Sequence, residues 1–304
     1  MDGIFFLVLA FLVAFSSIKL SYYGDTLSKS TKLGTAFIGG LLIASITSLP
    51  ELVTSVSAVL VNNPYISFGD ILGSNMFNVF VLSIFNIWFF KQDFFNSVSK
   101  KYLIECLILI TEYILIIFIS STLLTILLLF MYVFYILRIL KNDEETSNNT
   151  SEKHVLLKFI LCSVLLIGLS ILLTLEADNI THIYPKISSS SVGAILLGIT
   201  TSLPEVVSTY TLLKLGNNNM AISNMLGSNI FNFLILSVSD FFVKKDHIYS
   251  YSDKYSNMYL YGGLIVTFLL FICIYHKKMT KKCNIMLSLL ISLIYLIVWY
   301  FQFK

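Results

Sequence analysis

Two glutamates lie within long apolar stretches of this chain, and the same four residues precede each of them. Glu51 ends the sequence Thr-Ser-Leu-Pro-Glu, and the same five residues end again at Glu205, 154 positions later. Ionisable side chains inside a membrane are energetically costly and usually line ion pathways. Such a pair, each next to a proline, predicts a site that binds cations at mid-membrane.

A second repeated element follows each glutamate. The sequence Leu-Gly-Ser-Asn at 72–75 and Phe77-Asn78 return at the same offset of 154 residues, at 226–229 and 231–232. An ungapped alignment of residues 42–83 with 196–237 gives roughly sixteen identities in forty-two positions, concentrated at polar residues. The chain is therefore an internal duplication built around the two glutamates.

Oxygen atoms dominate the repeated positions. Pro50 and Pro204 each remove a backbone donor, so nearby carbonyl groups lose their helical partners, and in hydrocarbon a cation can satisfy them. Residues four positions apart share one face of a helix. This spacing relates Thr47 to Glu51 and Ser74 to Asn78 in the first repeat, and Thr201 to Glu205 and Ser228 to Asn232 in the second. An all-oxygen site of this kind suits Ca²⁺ and Na⁺ better than zinc or copper.

The composition predicts a polytopic membrane protein, because 57% of the 304 residues are hydrophobic and 12% are charged. With about 20 apolar residues per span, we predict ten spans. They cover approximately residues 3–22, 34–61, 67–90, 102–119, 123–140, 155–175, 188–214, 220–243, 257–275 and 284–302. The boundary between the fourth and fifth spans rests on Ser120-Ser121-Thr122 alone, and merging them would give nine.

Five spans in each half force the second repeat to insert upside down, which is typical of alternating-access transporters. We therefore predict an all-α fold of two inverted five-helix repeats, in which helices 2 and 7 are broken. The first repeat covers 1–141 with its motif at 40–83, a cytoplasmic linker covers 142–153, and the second repeat covers 154–304 with its motif at 194–237. Lysine and arginine concentrate in alternate loops, which places both termini outside a cell membrane.

These motifs closely resemble the two alpha repeats of the calcium/cation antiporter superfamily, and in particular its prokaryotic sodium/calcium exchangers. The resemblance covers the whole ten-helix plan and implies Na⁺ and Ca²⁺ as substrates. It implies that Glu51 and Glu205 bridge Ca²⁺, with the carbonyl oxygens of Thr47 and Thr201 completing the site. Flanking Na⁺ sites are implied with Glu51 for Ala44, Ser48 and Ser74, and with Glu205 for Gly198, Ser202 and Ser228. Asn78 and Asn232 are implied to close the middle of the site.

The resemblance leaves the counter-ion partly open. Several superfamily members carry an aspartate where this chain has Asn232, which makes potassium co-transport less expected here. Proton-coupled relatives carry an asparagine-containing element before the glutamate, whereas this chain has Ile46-Thr47-Ser48. These differences favour a Na⁺/Ca²⁺ antiporter. A Ca²⁺/H⁺ exchanger is the alternative, and a cation channel is a further one, because channels also use oxygen cages.

Other features predict little further chemistry. No pair of aspartates and no combination of serine, histidine and lysine suggests an enzyme. We expect no cofactor, no nucleic-acid partner and no obligatory protein partner. The lipid bilayer is the expected surrounding. Glu105 and Glu112 lie on span four without counterparts in the second repeat, and their role stays open. Asn75 and Asn229 lie out of phase with the ligand face and are interpreted as structural. We expect Gly39, Gly40 and Gly193 to permit close helix crossings.

Overall fold

The computed structural model describes residues 2–31, 33–89, 94–142, 153–183, 198–276 and 280–302. Within these residues the chain forms helices and the turns that connect them. The main helices, numbered in chain order, are α1 (Asp2–Ser30), α2 (Ala44–Thr47), α3 (Leu49–Leu60), α4 (Pro64–Trp88), α5 (Phe94–Ser97), α6 (Leu103–Phe118), α7 (Thr122–Asn142), α8 (Lys153–Ile183), α9 (Leu203–Lys214), α10 (Asn218–Asp240), α11 (Lys254–Tyr275) and α12 (Lys281–Gln302). A π-helix, Ala36–Ile43, precedes α2, and short 3-10 turns occupy Lys100–Tyr102 and Ile248–Ser250.

The described helices account for most of the predicted spans. Seven are long and apolar enough to cross a membrane, and the bent pair Ala36–Thr47 and Leu49–Leu60 makes an eighth. Helix α6 is a further, 16-residue helix at the position of the fourth predicted span. It ends before α7 begins, so the boundary predicted at residues 120–122 is confirmed. Residues 188–197 of the seventh predicted span lie outside the described residues, and α9 forms its last part.

The second span is broken at Ser48, where the two helical segments bend by 41°. Ser48 has φ −91° and ψ 7°, and Ser202 has almost the same backbone, φ −82° and ψ 0°. Pro50 and Pro204 therefore fall in the first turn of α3 and α9. A missing N–H costs nothing there, because the first amide groups of a helix have no intrahelical acceptor. The duplicated sequence thus produces the same break twice.

The chain divides into two compact units, and each draws on both halves of the sequence. The first unit contains Met1–Thr54 and Ile139–Ser228, and in it α1 packs against α8 and α9. The second contains Ser55–Arg138 and Asn229–Lys304, and in it α11 packs against α4, α6 and α12. The division of the sequence into two repeats and a linker stays a prediction.

Glycines allow a close helix crossing within the first unit. A Cβ atom placed on Gly227 of α10 would lie 2.1 Å from the carbonyl oxygen of Gly40. A Cβ on Gly39 would lie 2.8 Å from the backbone oxygen of Met220. The predicted role of Gly39 and Gly40 in close packing is therefore confirmed, whereas Gly193 lies outside the described residues. Gly227 is immediately before Ser228, one of the predicted ligands.

Candidate functional site

The two repeated glutamates are buried in the first compact unit. Glu51 and Glu205 are each 1% exposed and lie in the first turn of α3 and of α9. The N-terminal turn of a helix carries a partial positive charge that favours a carboxylate. The break in each span therefore places the acid at the helix end that is best able to hold a negative charge.

Each glutamate is held by the serine of the other repeat. The hydroxyl of Ser48 donates to Oε1 of Glu205 over 2.8 Å. The hydroxyl of Ser202 donates to Oε1 of Glu51 over 3.3 Å. Both serines occupy the break of their own span and are at most 1% exposed. The structure thus brings these four predicted site residues together in one buried, pseudo-symmetric cluster.

Ala44 and Gly198 lie one helical turn before the breaks at Ser48 and Ser202. The oxygen of Ala44 accepts from the hydroxyl of Thr47 and the amide of Ser48, each over 3.1 Å. The oxygen of Gly198 accepts from the hydroxyl of Thr201 and the amide of Ser202 over the same distance.

This geometry corrects one expectation about the threonines. Breaks in helices 2 and 7 were predicted, but the spacing of four residues was still taken to place the hydroxyl of Thr47 on the face of Glu51, and that of Thr201 on the face of Glu205. The structure places the break between them, and each hydroxyl bonds to the backbone of the preceding turn. The threonine carbonyl oxygens remain the predicted ligands.

Four asparagines form a second pseudo-symmetric cluster, which lies in the second compact unit. The side-chain amide of Asn75 donates to the backbone oxygen of Asn229 over 3.2 Å, and that of Asn229 donates to the backbone oxygen of Asn75 over 3.0 Å. Asn78 then donates to Oδ1 of Asn229, and Asn232 donates to Oδ1 of Asn75, each over 2.9 Å.

These bonds fix the orientation of the side-chain amides of all four asparagines. A backbone carbonyl can only accept a hydrogen bond, so Asn75 and Asn229 must present Nδ2 to it and Oδ1 to the opposite side. Asn78 and Asn232 must consequently present Nδ2 to that oxygen and turn their own Oδ1 away. Both of these Oδ1 atoms are buried and have no hydrogen-bond partner among the described residues. The two predicted ligands therefore each offer an acceptor atom that a cation can bind.

The remaining predicted ligands are the serines of the second motif. The hydroxyl of Ser228 lies 3.5 Å from the oxygen of Ala44, in the first unit. Ser74, in the second unit, is 4% exposed, and its hydroxyl has no hydrogen-bond partner within the described part of the chain. The assignment of all twelve predicted residues to one ligand set stays a prediction.

Two further buried acids lie on α6 in the second unit. Glu105 is 1% exposed and Glu112 is fully buried. Neither carboxylate oxygen of Glu112 has a hydrogen-bond partner among the residues that the structure describes. Their role stays open.

Comparison with known proteins links this architecture to membrane transporters. The sequence matches the family model described as sodium/calcium exchanger protein over residues 3–141 and 154–304. It is 25% identical over 268 residues to the inner membrane protein YrbG of Escherichia coli, covering 82% of each chain. It is 26% identical over 248 residues to the putative antiporter CaxA of Alkalimonas amylolytica, covering 76% of this chain and 77% of the relative.

A solved structure shows the same fold. The structure of the sodium-calcium exchanger NCX_Mj soaked with 2.5 mM Na⁺ and 10 mM Sr²⁺ superposes with a TM-score of 0.78 at 24% identity, and the match covers 98% of both chains. The same exchanger soaked with 10 mM Na⁺ and no Ca²⁺ gives a TM-score of 0.77 at 23% identity over 97% of both chains. The predicted fold class, an all-helical membrane protein of two inverted five-helix repeats, is confirmed.

Proposed function

This chain belongs to the sodium/calcium exchanger protein family, and we propose that it exchanges Na⁺ for Ca²⁺ across the cell membrane by alternating access. The members of this family are transporters and not enzymes, so the ions are substrates and no cofactor takes part. The observation that carries the proposal is the pair of buried glutamates, each held by the serine at the other repeat's helix break.

Calcium binding uses both carboxylates of this cluster. Ca²⁺ takes six to eight oxygen ligands, and its charge is balanced by two carboxylates. Each serine hydroxyl engages only Oε1 of its glutamate, and Oε2 of Glu205 has no hydrogen-bond partner among the described residues. Ca²⁺ bound between Glu51 and Glu205 would be completed by the carbonyl oxygens of Thr47 and Thr201.

Sodium ions compete for the same carboxylates. One Na⁺ would use Glu51 with Ala44, Ser48 and Ser74, and another would use Glu205 with the equivalent residues of the second repeat. Those residues are Gly198, Ser202 and Ser228. Asn78 and Asn232 would contribute the Oδ1 atoms that the asparagine cluster leaves free. Because Na⁺ and Ca²⁺ share the glutamates, binding of one displaces the other, which is the requirement for exchange.

The membrane orientation belongs to the same proposal. Lysine and arginine concentrate in the loops that follow the odd-numbered predicted spans, which places both termini on the outer side of the plasma membrane. A pair of accessible cysteine labels, one near each end of the chain, would measure this orientation in intact cells.

Transport in liposomes tests the proposed exchange. Purified protein is reconstituted in Na⁺-loaded vesicles, which are diluted into Na⁺-free buffer, and uptake of labelled Ca²⁺ is followed with and without a pH gradient. We expect uptake that requires the outward Na⁺ gradient and is lost in Glu51→Gln. Uptake driven by a pH gradient alone would assign the chain to proton-coupled exchange, and uptake that needs no gradient would indicate a channel.

A further inference from the structure

Tyr113 of α6 reaches the helix that carries Asn232. Its ring packs edge-on against the ring of Phe233 on α10, with centroids 5.0 Å apart and an interplanar angle of 88°. Both side chains are fully buried in the second compact unit. Phe233 directly follows Asn232, one of the two asparagines that are predicted ligands. Edge-on aromatic pairs stabilise a structure beyond the area that they bury, so this contact restrains α10 at the position of Asn232.

The hydroxyl of the same tyrosine faces a second support of Asn232. It lies beside the side chain of Asn75, whose Oδ1 accepts from Nδ2 of Asn232 over 2.9 Å. One amide hydrogen of Asn75 is donated to the backbone oxygen of Asn229, and a carboxamide has a second hydrogen to donate. The tyrosine hydroxyl has no other hydrogen-bond partner among the described residues. It can therefore turn towards Asn75 without losing another bond.

The neighbouring helix leaves room for this tyrosine. Helix α11 packs against α6, and a Cβ atom placed on Gly263 would lie 2.7 Å from Cζ of Tyr113 and closer still to its hydroxyl oxygen. A hydroxyl is costly to bury unless it gains a hydrogen bond. A phenylalanine would pack against Phe233 without that cost. The hydroxyl therefore has a use beyond filling space.

The first repeat has a different arrangement at the equivalent positions. The offset of 154 residues pairs Tyr113 with Thr267 and Phe233 with Val79. The aromatic contact therefore has no aromatic counterpart at these two positions. The hydroxyl of Thr267 is buried and has no hydrogen-bond partner within the described part of the chain. The two predicted ligands each receive one hydrogen bond from the asparagine cluster, and Asn232 has the support of Tyr113 in addition.

We propose that Tyr113 is a positioning residue for Asn232. Its ring restrains Phe233 and its hydroxyl steadies Asn75, so the Oδ1 atom of Asn232 is presented to the ion in one direction. A ligand that is held in its binding orientation loses less freedom when the ion binds, so the ion binds more tightly. The inference rests on the proposed function, because it gives Asn232 a role in ion binding. It also makes the two repeats unequal, since Asn78 lacks this tyrosine.

The side-chain amides report on this positioning without ions or transport. The purified full chain is labelled with ¹⁵N-asparagine, and the amide signals of Asn75, Asn78 and Asn232 are assigned from single substitutions to serine. Tyr113→Phe keeps the ring and removes the hydroxyl. We expect it to shift the signals of Asn75 and Asn232 and to leave that of Asn78 in place. The control is Thr267→Val, which removes the hydroxyl at the equivalent position and should shift none of the three. Unmoved signals in Tyr113→Phe, or equal shifts in both variants, would overturn the proposal.

Calcium binding measured by calorimetry gives a second readout. We expect Tyr113→Phe to raise the half-saturating Ca²⁺ concentration about fivefold, the effect of losing one hydrogen bond, and Thr267→Val to leave it unchanged. The effect of Tyr113→Phe should largely disappear in an Asn232→Ala background and persist in an Asn78→Ala background, because residues that act through each other are not additive. Phe233→Leu removes the aromatic partner from α10 and should show the same dependence on Asn232. A full effect in both backgrounds contradicts the proposal, because a general loss of packing would produce it.

The two proposals fail in distinguishable ways. If the unmodified chain moves no Ca²⁺ against Na⁺ but Tyr113→Phe shifts the amide signals of Asn75 and Asn232, the exchange is wrong and the positioning role stands. If exchange is normal and neither the amide signals nor the Ca²⁺ affinity respond to Tyr113→Phe, the exchange stands and the positioning role is wrong.

Discussion

The hydroxyl of Ser48 donates to a carboxylate oxygen of Glu205 over 2.8 Å, although 157 residues separate them in the chain. Ser202 and Glu51 repeat the relationship over 3.3 Å. The break in one repeat therefore positions the acid of the other. Neither half of the duplication can build this cluster alone, so an ion bound by both glutamates is sensitive to the backbone at both breaks.

The first prediction concerns the charge of the two glutamates. Glu51→Gln and Glu205→Gln each keep the side-chain shape but remove one of the two charges that balance Ca²⁺. We expect Na⁺-driven Ca²⁺ uptake into liposomes to fall at least a hundredfold in either variant, because an unbalanced buried divalent ion is strongly disfavoured. Glu176→Gln is the matched control, since Glu176 is a partly exposed acid on α8 that accepts a hydrogen bond from Asn179. Normal uptake by either cluster variant would contradict the Ca²⁺ assignment.

The second prediction is that loss of the Ser48 hydroxyl weakens Ca²⁺ binding more than loss of the Ser202 hydroxyl. Removing a hydrogen bond to a charged group costs about 1.5–3 kcal/mol, which corresponds to roughly tenfold or more in binding. We expect Ser48→Ala to raise the half-saturating Ca²⁺ concentration about tenfold and Ser202→Ala to raise it less, because its bond is longer. Calcium binding by calorimetry would measure both.

A double variant checks that the serine acts through the carboxylate. If Ser48 acts on Ca²⁺ by holding Glu205, then Ser48→Ala should weaken the remaining Ca²⁺ binding of a Glu205→Gln background much less than the tenfold expected in the unmodified protein, because the effects of residues in contact are not additive. Fully additive effects would show that Ser48 contributes independently of Glu205.

The sequence predicted the cluster because duplication makes functional positions visible. A generic apolar helix would not conserve Thr-Ser-Leu-Pro-Glu twice within one chain, so the acids and the breaks could be identified from residue types alone. The span boundaries followed from hydropathy, and even the short interruption between α6 and α7 was located correctly.

Three features could not be predicted from the sequence. The hydrogen bond from Ser48 of one repeat to Glu205 of the other is a tertiary contact, and residue spacing along one helix does not predict it. The threonine hydroxyls were placed on the glutamate face because the i, i+4 rule assumes a continuous helix, which the break at Ser48 and Ser202 interrupts. The hydrogen bonds of Asn75 and Asn229 to each other's backbone also depend on how two helices cross.

The third prediction concerns Asn75 and Asn229, which bond to each other's backbone. In Asn229→Leu, Asn78 loses the acceptor that fixes its amide, so its Oδ1 is no longer held in one direction. We expect weaker ion binding, with half-saturating Ca²⁺ raised several-fold, because one hydrogen bond contributes about 1 kcal/mol. The control is Asn86→Leu on α4, the helix of Asn78. It also removes a buried carboxamide, which donates to Ser288 and accepts from the backbone N–H of Phe95.

Each variant loses two buried side-chain hydrogen bonds, so both should lose thermal stability to a similar degree. Only Asn229→Leu should change ion affinity beyond the change in stability. Equal affinity changes in the two variants would show that Asn229 affects the protein through packing alone.

The final prediction concerns the glycine crossing beside Ser228. An added methyl group on Gly227 would lie 2.1 Å from the carbonyl oxygen of Gly40, so α10 must move away from the π-helix. Overpacking of this kind costs typically about 1–3 kcal/mol, and the displacement also moves Ser228. We expect Gly227→Ala to lower the unfolding temperature and slow exchange. Gly168→Ala, on an exposed face of α8 with no atom within 4 Å of the added methyl, should do neither, because alanine favours the helix there. A thermal unfolding assay on both purified variants measures the difference, and equal stability would show that the two helices separate without cost.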